Sequence, residues 1–290
     1  MRGCNSERYV GKMKNTLSQY ILCFCLTACN YNVSLKEEND FFSIPNGDEY
    51  YTQGLELGAK KEASDYEYKV GQRIYTPDNK YLTNLQEQDR PYAGYLYMGG
   101  TKFFRIDVNT TNLYSYELGL VGPSAGGEFA QNRIHRLLGN REAKGWGNQL
   151  KDEPIINLGF RQEIYGGTEW LPWLPLRTIV YWGYDLGNLL TASETGVRLE
   201  RIKEWGSWQA RLFSGLEGVL KAHDILLDGN TWKDSHSVEK ENLVATALVG
   251  FEVDYQRYFL SYTYRLMTTE FREQPGQHSY GSVQFGKRFE

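Results

Sequence analysis

The chain has 290 residues, a formal charge of −4 and a mean hydropathy of −0.56, with 14% aromatic residues that include 22 tyrosines. Its body lacks the long apolar runs of membrane-spanning helices and the Lys/Arg clusters that nucleic-acid binding needs. All four cysteines (Cys4, Cys23, Cys25, Cys29) lie in the first tenth of the chain, which excludes a disulfide framework or a zinc–thiolate site in the body.

Taken in chain order, the first element is a targeting segment. Arg2, Arg8, Lys12 and Lys14 precede the apolar run YILCFCLTAC, the layout of a secretory signal over residues 1–28. Met13 is an alternative start that gives a more compact signal. LTAC, Leu26 to Cys29, also fits a lipoprotein cleavage site before Cys29, with residues 29–290 as the exported domain.

The body alternates with a period of two. VSLKEEND, YYTQGLELG, YEYKVGQRIYTP, YAGYLYMGGTKFF and NLYSYELGLVG read as strands with one apolar and one polar face. PIINLGFRQEIYGG, LRTIVYWGYDLG, TGVRLERIKEW, WQARLFSGLEGVLKA, LVATALVGFEVDY, FLSYTYRL and SYGSVQFGKRF continue the pattern. Twelve strands, even in number and with a strand at each end, suit a closed up-and-down barrel. A soluble sandwich or lipocalin-like barrel competes with an outer-membrane barrel. Long strands, an export signal, a near-terminal Phe289 and aromatic residues near strand ends favour the membrane. Tyr50, Tyr51, Tyr92, Tyr95, Tyr97, Trp170, Trp173, Tyr181, Trp182, Trp205 and Trp208 are read as girdle residues. The predicted fold is therefore all-β, a twelve-stranded antiparallel transmembrane β-barrel with a short helix in an extracellular loop.

That helix, QNRIHRLL closed by Gly139, lies in one of the two longest irregular stretches; the other runs from Ile225 to Glu239. Gln131 and His135 are four apart and share a face. Ile134, Leu137 and Leu138 are expected to pack toward the wall, and Glu128 suits the helix start. His135 is a candidate general base, whereas His223, His236 and His278 read as surface or loop residues. Glu37, Glu38, Asn39 and Asp40, together with Asp48, Glu49 and Thr52, converge at one rim. Their hard oxygens suit Ca²⁺, though a charged rim loop fits the same residues. Lys80 and Arg90 are candidates to meet phosphate, with Asp89–Arg90 as a structural ion pair the alternative. There is no GxSxG elbow, so water activated by histidine is the chemistry these residue types support.

ENDFF (Glu38–Phe42), DEYYTQGLEL (Asp48–Leu57), DRPYAGYLY (Asp89–Tyr97), ELGLVGPSAGGE (Glu117–Glu128), QNRIHRLLG (Gln131–Gly139) and GWGNQLKDEP (Gly145–Pro154) occur in order. This series resembles the lipid A 3'-O-deacylase family, LpxR. The resemblance implies an integral outer-membrane enzyme that hydrolyses the 3'-linked acyloxyacyl ester of lipid A with Ca²⁺, at the outer surface and as a monomer. It implies that His135 activates water, Asn39 stabilises the oxyanion, Asp40 holds the metal, and Thr52 and Gln131 complete the site. Lys80 is carried over as a substrate-binding residue. Where the family has an acid after the helix this chain has Arg141, with Glu142 beside it as the substitute metal ligand. The departure at Arg141 motivates a second reading, a non-catalytic porin or structural barrel with a degenerate site. LTAC motivates a third, an exported lipidated soluble β-protein.

Overall fold

A computed structural model describes residues 31–43, 50–167 and 175–288. The signal segment 1–28, Cys29, Asp48, Glu49, Trp170, Trp173 and Phe289 lie outside the described residues.

Twelve strands form one sheet. They are β1 (Tyr31–Asn39), β2 (Tyr50–Lys61), β3 (Tyr66–Thr76), β4 (Ala93–Arg105), β5 (Thr110–Val121) and β6 (Glu153–Gly167), followed by β7 (Arg177–Gly187), β8 (Leu190–Trp205), β9 (Trp208–Asp224), β10 (Leu243–Tyr255), β11 (Tyr258–Met267) and β12 (His278–Lys287). Each pairs antiparallel with its sequence neighbour. The last meets the first in a register running from Val33↔Lys287 to Asn39↔Gly281. Closure leaves no sheet edge, so the backbone polar groups of the wall pair within the wall except at local bulges.

Short turns (62–65, 106–109, 206–207, 256–257) join strands at one end. The opposite end carries the long connections 77–92, 122–152, 225–242 and 268–277, with helix α1 (Gly127–Leu138) and the single turn α2 (Ile225–Asp228).

Alternation assigns the two faces of the wall. Lys36, Glu38, Tyr51, Arg73, Tyr75, Arg161, Glu194 and Arg265 surround a central cavity of about 480 Å³. Their sequence neighbours point the other way. That outer face exposes Val70, Leu96, Met98, Ile156, Leu212 and Leu216, the apolar belt of a barrel surrounded by lipid. Many charges on the inner face are paired, which offsets the cost of burying them. Arg161 makes two bonds to Glu194, of 2.7 and 2.6 Å, Lys36 meets Glu56 at 3.3 Å, and Lys69 meets Glu117.

The aromatic girdle is smaller than the sequence implied. Trp182, Trp205 and Trp208 are exposed, and Trp208 lies 4.4 Å from Tyr255 at the short-turn end. Tyr50, Tyr51, Tyr92, Tyr95, Tyr97 and Tyr181 are buried instead. Four of these point into the lumen, where their hydroxyls donate to carboxylates: Tyr51 to Glu38 at 2.7 Å, Tyr95 to Glu117 at 3.1 Å, Tyr97 to Glu56 at 2.7 Å and Tyr181 to Glu217 at 2.7 Å. Tyrosine suits either face of a strand; an acid within reach decides for the inside.

Candidate active site

The site residues lie on the outer, lipid-side face of the wall near the long-loop end. Asn39 follows the lumen-facing Glu38, and Thr52 follows the lumen-facing Tyr51, so both point outward. A bulge between Tyr51 and Gln53 falls at Thr52. The Thr52 hydroxyl shares a 2.8 Å hydrogen bond with that of Thr76, the outward residue at the end of β3.

Loop 122–152 lays α1 over this surface. Gly94, an outward position of β4, lets the helix start approach closely: a Cβ there would stand 2.9 Å from the Gly127 nitrogen. The Gln72 amide, outward on β3, donates to the Ala125 carbonyl at 2.6 Å. Ile74, Tyr92, Ala143 and Trp146 form a small core beneath the loop. The helix ends at Gly139, whose φ of 74° is left-handed. This lets the Asn140 N–H reach the His135 carbonyl at 2.8 Å.

The face that α1 turns to the wall is polar. Gln131, Asn132 and His135 are buried, whereas Leu137 is 75% and Leu138 69% exposed. The expectation that Ile134, Leu137 and Leu138 would pack on the wall is therefore corrected; Ile134 is only half-buried. In water a helix hides its apolar stripe. Here the buried side finds hydrogen bonds in the chain segment 141–146 and the apolar residues stay exposed, so the stripe is inverted.

Each buried polar group has a specific job. Gln131 Oε1 accepts from Trp146 Nε1 at 2.9 Å. The Trp146 ring lies 5.0 Å from that of Tyr92. Gln131 Nε2 is a buried donor with no acceptor among the described residues. Asn132 clasps the backbone of Ala143: its Oδ1 accepts from Ala143 N at 2.9 Å, and its Nδ2 donates to Ala143 O at 3.3 Å. That clasp holds the chain after the helix so that the Arg141 carbonyl stands 2.6 Å from His135 Nδ1. A carbonyl can only accept, so Nδ1 carries the proton, and in the neutral ring Nε2 is the base. The main chain at Arg141, not an acidic side chain, orients the ring. The Arg141 guanidinium itself lies 4.5 Å over the Tyr81 ring.

At the β1 end, Asn39 caps a short 3₁₀ turn, Asp40–Phe42, its Oδ1 accepting from Phe41 N at 2.8 Å. Asp40 is buried, and so is Lys80. Burial pushes the Lys80 ammonium below its usual range, against the opposing pull of the nearby Asp40 carboxylate. The Lys80 carbonyl accepts from the Tyr92 hydroxyl at 2.8 Å and from Lys144 N at 2.9 Å. One connected structure therefore runs from Asp40 through Lys80 and Tyr92 to Trp146 and Gln131.

Other expectations fare differently. Glu142 is exposed and pairs with Arg136 at 3.2 Å. Arg90 does not pair with Asp89; it meets Glu270 at 3.3 Å, while Asp89 caps the backbone N–H groups of Asp78 and Arg90 at 2.9 and 2.7 Å. His278 is not a surface residue: it is buried at the start of β12, its ring 5.5 Å from that of Tyr50. The sequence reading passed over Asn132 and Trp146 as site residues. Only their hydrogen bonds reveal them, because an Asn on a loop helix carries no spacing signal.

Asn39, Asp40 and Thr52 are hard oxygen donors that match Ca²⁺ in kind. They supply one carboxylate, and among the described residues no three His, Cys, Asp or Glu side chains are grouped to hold a metal. The fit is that of a weak site needing further oxygens.

A closed barrel with an apolar outer belt and a charged, polar lumen defines an integral outer-membrane β-barrel. The chain belongs to the LpxR family, described as outer membrane protein LpxR, whose model matches residues 17–289. Among solved structures, LpxR from Salmonella typhimurium is similar with a TM-score of 0.80 at 20% identity, covering 89% of this chain and 100% of that one. The beta domain of the Bordetella autotransporter BrkA aligns at a TM-score of 0.47 and 12% identity, covering 89% and 98%. No curated protein matches. Family membership places the protein in the outer membrane and supports lipid A deacylation as its class of activity.

Proposed function

We propose that the protein hydrolyses the 3'-linked acyloxyacyl ester of lipid A, acting as a monomer with its site at the outer surface. The carrying observation is the inverted helix: α1 buries Gln131 and His135 against the lipid-facing wall, with the ring oriented by the Arg141 carbonyl. A hydrophobic substrate anchored in the same leaflet reaches such a site without leaving the membrane.

In this reading His135 Nε2 takes a proton from water as the water oxygen attacks the ester carbonyl carbon. The bond between that carbon and the ester oxygen then breaks, the acid is released, and His135 Nε2 returns the proton to the leaving sugar alkoxide. Gln131 Nε2 and the Asn39 side chain offer donors to the oxyanion, and Trp146 fixes the Gln131 amide so that its nitrogen points to the substrate. Thr52 shapes the wall beside them. Lys80 sits too deep to grip a phosphate from solvent, and its proposed share in substrate binding is positive potential at the Asp40 end. Asp40, with oxygens from Asn39 and Thr52, would hold Ca²⁺, which supplies Lewis-acid polarisation of the ester carbonyl when bound. A ligand role for Glu142 would require breaking its pair with Arg136.

The test is mass spectrometry of lipid A from cells expressing the wild-type protein or His135→Ala, with heat-modifiable gel mobility to show that both barrels fold. Wild type should remove the 3' acyloxyacyl group, and His135→Ala or removal of Ca²⁺ with a chelator should abolish it. Unmodified lipid A with folded wild type and Ca²⁺ present refutes the assignment.

A further inference from the structure

Helix α1 has an outward face that none of the described residues covers. Phe129 is 71% and Leu137 75% exposed. Positions 129, 133 and 137 are spaced by four, so these two side chains and Arg133 form one stripe opposite the buried Gln131 and His135. Leu138, also exposed, ends the helix.

The stripe is continuous with the lipid-facing belt. Gly94, on which α1 rests, is an outward position of β4, and the next outward residues of that strand are Leu96 (44% exposed) and Met98 (61%). At about 3.3 Å per residue these lie roughly 7 and 13 Å further along the strand. Val70 continues the belt on β3. On the far side of the site, Phe41 is 67% exposed beside the buried Asp40.

We infer that α1 is an interfacial helix whose Phe129–Leu137 stripe is immersed in the acyl-chain region of the surrounding leaflet. The occupant is bulk membrane lipid, which distinguishes this face from the inner groove that holds Gln131 and His135. Arg133, in the middle of the stripe, sets the depth. A guanidinium reaches up to the headgroups while its stem lies in hydrocarbon, so the helix sits at the boundary and not in the centre of the bilayer. The helix thereby fixes the level in the leaflet at which the site opens.

The test uses environment-sensitive bimane labels on single cysteines at Leu137, Phe129, Met98 and Val108, with the four native cysteines replaced by serine. Val108, fully open in the turn between β4 and β5, is the aqueous control, and Met98 is the belt control. The proteins are reconstituted in phosphatidylcholine vesicles, with or without lipids brominated near the headgroup end of the chains. The Leu137 and Phe129 labels should lose about half their fluorescence to brominated lipid, as Met98 does, with Val108 unchanged. Labels at 137 and 129 that behave like Val108, open to aqueous iodide and blind to brominated lipid, overturn the inference. Heat-modifiable mobility verifies each barrel. Because the readout is location, it stands or falls independently of lipid A hydrolysis.

Discussion

Asn132 is the most informative residue to remove. Asn132→Ala deletes two hydrogen bonds to Ala143, of 2.9 and 3.3 Å, worth about 1 kcal/mol each, and strands a buried N–H and C=O. The segment that presents the Arg141 carbonyl to His135 then loses about 2–3 kcal/mol of its hold. The Lys144 N–H bond to the Lys80 carbonyl, at 2.9 Å, still ties the next residue down, which pulls the effect to the lower end. Converted to rate, this is a loss of about 30- to 100-fold in kcat. KM should stay within about twofold, since nothing that touches substrate is removed. The assay is steady-state deacylation of lipid A in detergent micelles with Ca²⁺. Asn132→Asp keeps the acceptor for the Ala143 N–H and should recover part of the loss. Arg141→Ala should leave kcat nearly intact, because the carbonyl orients the ring and the guanidinium does not. Wild-type kcat in a folded Asn132→Ala barrel refutes the reasoning, as does an Arg141→Ala defect equal to it.

Three more outcomes follow from the same geometry. Burial alone would raise the Glu270 carboxyl, but Lys221 at 3.0 Å and Arg90 at 3.3 Å hold it at about 2, against an ordinary 4.5. The unfolded chain therefore binds the extra proton between these values, so stability of at most about 3 kcal/mol is present above pH 4.5 and is lost as pH falls toward 2. Glu270→Gln should flatten that acid limb in unfolding curves read by gel mobility, and an unchanged limb counts against the assignment. Trp146→Phe keeps a ring against Tyr92 but removes the donor to Gln131, at a cost of about 1 kcal/mol or roughly fivefold in kcat/KM; full activity would show that Gln131 needs no fixing. Gly94→Val should lift α1 off β4 and lower turnover while the thermal midpoint of the barrel holds, since the close contacts of a side chain there are with Gly127 and Ala125 of the overlying loop. A matching fall in the midpoint would mean the wall itself is disturbed.

The two faces of the wall show why part of the structure was not readable beforehand. In FLSYTYRL the alternation of Leu260, Tyr262, Tyr264 and Leu266 with Ser261, Thr263 and Arg265 fixes a strand, and Arg265 does line the lumen. Tyr95 and Tyr97 alternate equally well and looked like girdle residues, yet they turn inward because Glu117 and Glu56 accept from them. Those acids sit on other strands, Glu117 on the adjacent β5 and Glu56 two strands away on β2, and are invisible to a local pattern. Arg90 likewise finds Glu270, 180 positions away, and not its sequence neighbour.

By itself the sequence determined the twelve alternating strands, the even count that allows closure, the single helix with Gln131 and His135 on one face, and the ordered motifs of the family. These are consequences of period-two and period-3.6 spacing, and they belong to the chain in any environment. Tertiary structure alone decided which side of each strand meets lipid, which side of α1 meets the wall, and that a main-chain carbonyl at Arg141 orients the histidine. The physical reason is that a helix or strand carries two faces, and the medium on each side selects between them. With the hydrogen-bonding groups of Arg141, Ala143 and Trp146 on one side and hydrocarbon on the other, α1 buries its polar residues and exposes Phe129 and Leu137, the reverse of what it would do in water.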